Sequence, residues 1–288
     1  MTDIPDIPTV ARLLVALLKL LVFGIVLLLI TFILILPFFI SSGKDFESID
    51  HVVSVYTQLV AAFITIFLFF RIIDKKKMSS LGLSVRGHVK EFLSGSGIAV
   101  LIMVVCFAIL LLFKQIGFGV NPFDGRSFLW GFVLFVGVAV FEEVVFRGYI
   151  LGYLMDATNK YVALILSSAI FSLLHIFNDH VSLIPMINLF LAGILLGSAY
   201  IYTRNLWFPI GMHLFWNFTQ GSILGFNVSG TDGYSVIQLN YPENNLFNGG
   251  AFGLEGSFLI SFFSVLSIFL VIRHYKALSK TESGFNFK

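Results

Sequence analysis

Eight apolar runs, each long enough to cross a bilayer as a helix, decide what this chain can fold into. A spanning helix needs about 20 mostly apolar residues. Runs of that kind occupy roughly residues 13–40, 52–71, 92–117, 127–155, 161–177, 183–202, 206–224 and 257–273. The expected fold is all-α, a polytopic transmembrane bundle of about eight spans, with residues 1–288 as a single membrane domain. The first and fourth runs are long enough to tilt or to extend beyond the lipid. Of the 288 residues, 58% are hydrophobic and 12% charged, against about 25% charged in a soluble domain. Lipid must therefore serve as part of the solvent. The net charge of +2 points to no nucleic-acid partner, and the single cysteine, Cys106, permits no intrachain disulfide. In its apolar run Cys106 reads as a small buried hydrophobe. Asp3, Asp6 and the long run after Arg12 do not fit a secretory signal, so the first run reads as a retained span.

Basic residues set the expected orientation. Arg71, Lys75, Lys76, Lys77, Arg86 and Lys90 crowd the second loop, and Arg273, Lys276, Lys280 and Lys288 the tail. With the N-terminus inside, 13 of the 18 Lys and Arg fall on the cytoplasmic side, and Lys44, Lys114 and Arg126 fall outside. Cytoplasmic loops carry that excess, which puts both termini in the cytoplasm and makes Lys75–Lys77 a topology anchor at anionic head groups. Residues 225–256, without Lys or Arg, lie outside as a plain connector or a partly ordered flap, the connector being favoured. Gly148/Gly152 and Gly193/Gly197 have the small-xxx-small spacing of close helix packing.

Ionisable residues inside spans are functional candidates, and they concentrate in three places. Span four holds Glu142, Glu143 and Arg147, span five His175, Asn178 and Asp179, and span seven His213 and Asn217. Asn188 in span six is a weaker fourth. Glu143 and Arg147, four apart, share a helix face and can pair. Glu142 is rotated about 100° away and stays free. His213 and Asn217 also share a face. From the turn near residues 156–160, Glu142 and His175 both lie roughly 24–26 Å along their helices, so they are level in an antiparallel hairpin. One intramembrane pocket with a carboxylate, two imidazoles and a carboxamide is thus permitted. A buried Glu and a His facing a common water can deprotonate it. A second imidazole and an amide N–H can donate to a developing oxyanion.

The set Glu142-Glu143-x-x-x-Arg147, Phe171-x-x-x-His175 and His213-x-x-x-Asn217 resembles the three signature motifs of the CPBP family. That family comprises type II CAAX-prenyl endopeptidases and bacteriocin-processing or immunity (Abi) proteins. The resemblance covers about residues 127–220, with no departure at the motif positions. It implies an intramembrane glutamate protease of the cell membrane of a bacterium, acting on a membrane-associated peptide or protein without cofactor or metal. In that reading Glu142 and His175 hold and activate the water, and His213 and Asn217 form the oxyanion hole. Glu143 and Arg147 organise the site, with Phe171 packed beside it.

Three other readings use the same residues. Glu142, His175 and His213 can be written as a His₂Glu zinc set, although no H-E-x-x-H is present. A bacteriocin-immunity or scaffold protein can keep the quartet as a structural network. A transporter can use Glu and His as a proton relay, but no inverted repeat supports one. The sequons at Asn217 and Asn227 read as chance matches. Asp179 can orient the His175 imidazole or stand solvated at a helix end, and Glu255 can line the outer mouth of the site or sit at the entry to span eight; the second reading is favoured for each.

Overall fold

The computed structural model describes residues 9–42, 50–241 and 243–285. Asp3 and Asp6, weighed above against a secretory signal, and Lys44 and Lys288, used to orient the chain, lie outside them. Among the described residues the chain forms eight helical passes. These are α1 (Thr9–Ser42), α2 (His51–Leu68), α3 (Val89–Leu112), α4 (Gly125–Glu143), α5 (Lys160–Leu173), α6 (Leu183–Thr203), α7 (Trp207–Phe218) and α8 (Phe258–Phe285). Six of these passes are long and apolar enough to cross a membrane; α5 and α7 are shorter. The protein is an integral membrane protein built as an all-α polytopic bundle.

Three helices run on into wide π turns. α2 continues through Phe69–Asp74, α4 through Val144–Leu151 and then α-helical Gly152–Ala157, and α7 through Thr219–Ile223. π segments inside helices often mark functional sites. One of these begins directly after the motif residue Glu143, and another two residues after Asn217.

Local chemistry sets the helix starts. Asp50 accepts from the Val52 amide at 2.8 Å, and Asn159 from the amides of Tyr161 and Val162, both at 3.1 Å. Each satisfies donors that a helix leaves orphaned at its first turn. α6 stops at Arg204, which adopts the left-handed conformation (φ 51°). The buried residues form two cores. One joins α1, α2, the π turn of α4 and α5 through Phe23, Ile66, Tyr149 and Phe171. The other joins α3, α6, α7 and α8 through Met103, Leu195, Phe208 and Ile260. The small-residue spacings are used. A Cβ on Gly197 would lie 2.5 Å from Leu164, and one on Gly193 2.8 Å from Ser168, so α6 and α5 are in near-backbone contact.

The structure corrects three expectations. α5 ends at Leu173 rather than near residue 177, because the next amides switch to tighter bonds, His175 N–H to Ser172 O and Ile176 N–H to Leu173 O. α3 ends at Leu112, and Gly117–Val120 then forms a strand, β1, paired antiparallel with β2 (Ile237–Asn240). The segment 225–256 is therefore no plain connector: it supplies β2, a bridge between Val228 and Thr231 and two short 3₁₀ turns.

Candidate active site

A cavity of about 1010 Å³ lies inside the bundle. Glu142, His175, His213 and Asn217 all line it, from α4, the turn after α5, and α7. The cavity reaches the face opposite Lys75–Lys77, where Asp50, His51 and Ser127 stand at the starts of α2 and α4.

Glu143 sits behind this wall and is fully buried. Its Oε1 accepts from Arg147 Nη1 at 2.7 Å and from His213 Nδ1 at 2.8 Å. One carboxylate thus ties the first motif to the third. Arg147, also buried, donates from Nη2 to the Gly193 carbonyl at 3.2 Å. That reach depends on the glycine contact between α5 and α6. The guanidinium also lies 4.6 Å from the centre of the Phe171 ring, and that ring is 4.8 Å from His175. Phe171 is thereby held between the first and second motifs.

Hydrogen bonding fixes which ring nitrogen carries the proton on each histidine. His175 Nδ1 lies 2.8 Å from the Phe171 carbonyl, which can only accept, so Nδ1 is protonated and neutral His175 keeps a lone pair on Nε2. His213 Nδ1 faces an ion-paired carboxylate and likewise donates. Its Nε2 lies 3.8 Å from Glu142 Oε2, too far for a hydrogen bond. His213 can donate from Nε2 only as an imidazolium, and Glu142 and Glu143 supply the counter-charge for that cation. Glu142 and Asn217 carry no side-chain hydrogen bond among the described residues, and Asn217 is 5% exposed. A buried amide without a partner in a cavity is set up to meet a ligand.

The second shared role of Glu143 was not visible from spacing, because His213 lies 70 residues further on. Of the two places open to Glu255, the structure takes the one the sequence favoured less. Glu255 does not merely begin α8: it is buried, lines the cavity, and accepts from Trp216 and Ser229. Asn188 is structural, donating to the carbonyls of Glu255 and Ser257 at 2.7 and 2.9 Å. Asp179 is exposed, as expected. Cys106 is buried in the second core, and Lys76 pairs with Asp156. Among the described residues, no three His, Cys, Asp or Glu side chains converge as a metal-ligand set.

No curated protein and no solved structure matches this chain. The family model described as type II CAAX prenyl endopeptidase Rce1-like matches residues 124–219, the stretch from the start of α4 to the end of α7 that carries all three motifs. Over that segment the chain is similar to the Rce1-like, type II CAAX prenyl endopeptidase family.

Proposed function

We propose that this protein is an intramembrane endopeptidase that hydrolyses a peptide bond of a membrane-associated protein or peptide with a Glu/His-activated water. One observation carries the reading: Glu142 and Asn217, both free of hydrogen bonds, share a 1010 Å³ cavity with His175 and His213. Glu142 and His175 Nε2 accept the two protons of a bound water. As its oxygen bonds to the carbonyl carbon, Glu142 takes one proton and the C=O π pair moves onto oxygen. The Asn217 amide and the His213 imidazolium donate to that oxyanion. The pair then re-forms C=O, the C–N bond breaks, and the leaving amine takes the proton from Glu142. No serine or cysteine nucleophile and no cofactor enters. Glu143, Arg147 and Phe171 hold the set in register.

In this reading both termini lie in the cytoplasm of a bacterial plasma membrane, an orientation that the Lys and Arg excess supports, and the cavity faces the outer half of the bilayer. The partners are the lipid and a membrane-borne substrate, with no nucleic acid. The test compares membrane and secreted peptides from cells carrying the wild-type protein or Glu142→Gln at equal abundance. Defined fragments should vanish in the variant while their precursors accumulate, and cleavage should persist in EDTA. Matching peptide profiles would refute the proposal and leave the immunity or scaffold reading.

A further inference from the structure

Residues 226–234 line the cavity, and beside bonds such as Gly230 N–H to the Phe252 carbonyl and Gln220 to the Asn227 carbonyl they are attached through one carboxylate that the reaction does not use. Phe226, Val228, Ser229, Thr231, Asp232, Gly233 and Tyr234 all face the same space as Glu142 and His213. Glu255 Oε2 accepts from the Ser229 amide at 2.8 Å and from its hydroxyl at 2.9 Å. Glu255 Oε1 accepts from the Trp216 indole at 3.3 Å, and Trp216 adjoins Asn217 on α7. Ser229 is held in the left-handed conformation (φ 50°), which a serine adopts only when its surroundings fix it. Its carbonyl in turn accepts from Asn178 at 3.1 Å, three residues after His175.

We infer that Glu255 is a positioning residue that latches this roof onto the active-site helix and so shapes the substrate side of the cavity. The inference rests on the protease reading for its kinetic consequence, but not for the latch itself. The argument is one of donor and acceptor count. Glu255 meets three donors, two on one oxygen and one on the other, and an ionised carboxylate is the side chain that accepts on both sides. A glutamine in its place satisfies Ser229 or Trp216, and turns an N–H toward the other's N–H. Asn188 fixes the backbone of residue 255 from below, so the side chain cannot follow the roof if the roof lifts.

The latch predicts a pattern that general loosening of the fold would not give. Cys106 is fully buried, so a thiol placed in the cavity can be read on a quiet background. Ser222 lines the cavity, 3% exposed, and its neighbour Gly221 lies against Val228 of the roof. In S222C protein, a membrane-impermeant maleimide should label slowly. Adding E255A or E255Q should raise the rate about tenfold or more, the effect of losing bonds to a charged group. Adding W216F to E255Q removes the opposed indole N–H and should return labelling toward the slow rate. On a substrate found by the peptide comparison, E255Q should raise KM while kcat stays within roughly threefold. Equal labelling in all backgrounds, or no recovery with W216F, would overturn the latch. Expected labelling with no Glu142-dependent proteolysis would instead remove the protease reading and leave the latch standing.

Discussion

Neutralising each of the two adjacent glutamates should separate chemistry from architecture. Glu143→Gln keeps the side-chain shape but removes a charge that is 0% exposed and bonded to both Arg147 and His213. The amide oxygen, standing where Oε1 was, can still accept from both donors, but it carries no charge to offset theirs. The buried guanidinium is left without a counter-ion. Breaking a buried ion pair from one side costs about 3–5 kcal/mol. Glu142→Gln removes a carboxylate with no hydrogen bond, whose nearest cationic partner is 3.8 Å away and whose side chain is 18% exposed. A change of that kind costs within about 1 kcal/mol. Reversible unfolding in mixed detergent and SDS micelles, followed by circular dichroism, should resolve the difference of roughly 3 kcal/mol between them. Both variants should lose activity, Glu142→Gln by about 10²–10⁴-fold as a missing general base. Equal stability of the two, or a Glu142→Gln protein as unstable as Glu143→Gln, would refute the division of roles.

Three further outcomes follow from the same geometry. Asn217→Ala should lower kcat about 10²–10³-fold, the usual loss of one oxyanion donor, with SDS unfolding unchanged because its amide holds no partner. Gly95→Ala should destabilise the α3–α7 contact by about 1–3 kcal/mol, since its Cβ would lie 2.3 Å from the Phe208 carbonyl; an unchanged unfolding midpoint would contradict that packing. Lys19→Met leaves Asp74, whose side chain is 2% exposed, without its cation and should cost of order 3 kcal/mol, while Lys19→Met with Asp74→Leu should recover most of it.

Much of the bundle was legible because lipid imposes a simple rule: a membrane helix announces itself by its length of apolar sequence. The rule fails where a segment is apolar but short of a full span. Span five reads as helical to residue 177 because Phe171–Phe177 is apolar apart from Ser172 and His175. What ends the helix is the hydrogen bonding of residues 172–178, with the His175 ring bound to the Phe171 carbonyl, and no hydropathy value records that. The π turns after Glu143 and Asn217 are invisible for the same reason. They change which carbonyl each amide reaches while leaving composition untouched.

The site divides along the same line, between what is near in sequence and what is near only in space. Glu143 could be matched to Arg147 because the partner sits one turn away on the same face. That pairing also singled out Glu142 as the unbonded carboxylate, the state in which it stands. Glu255 has no partner within a turn. Its donors come from residues 26 and 39 positions earlier in the chain, across a loop whose polar residues look like solvent-facing connector. Nothing in that loop's composition distinguishes a segment that lines a cavity from one that dangles in water. One cue was present: a carboxylate in the short glycine-flanked stretch Gly253–Gly256, immediately before an apolar span, has to be solvated or bonded. Burial of its neighbours Leu254 and Gly256 leaves bonding as the answer, and bonding to the roof makes Glu255 part of the cavity wall.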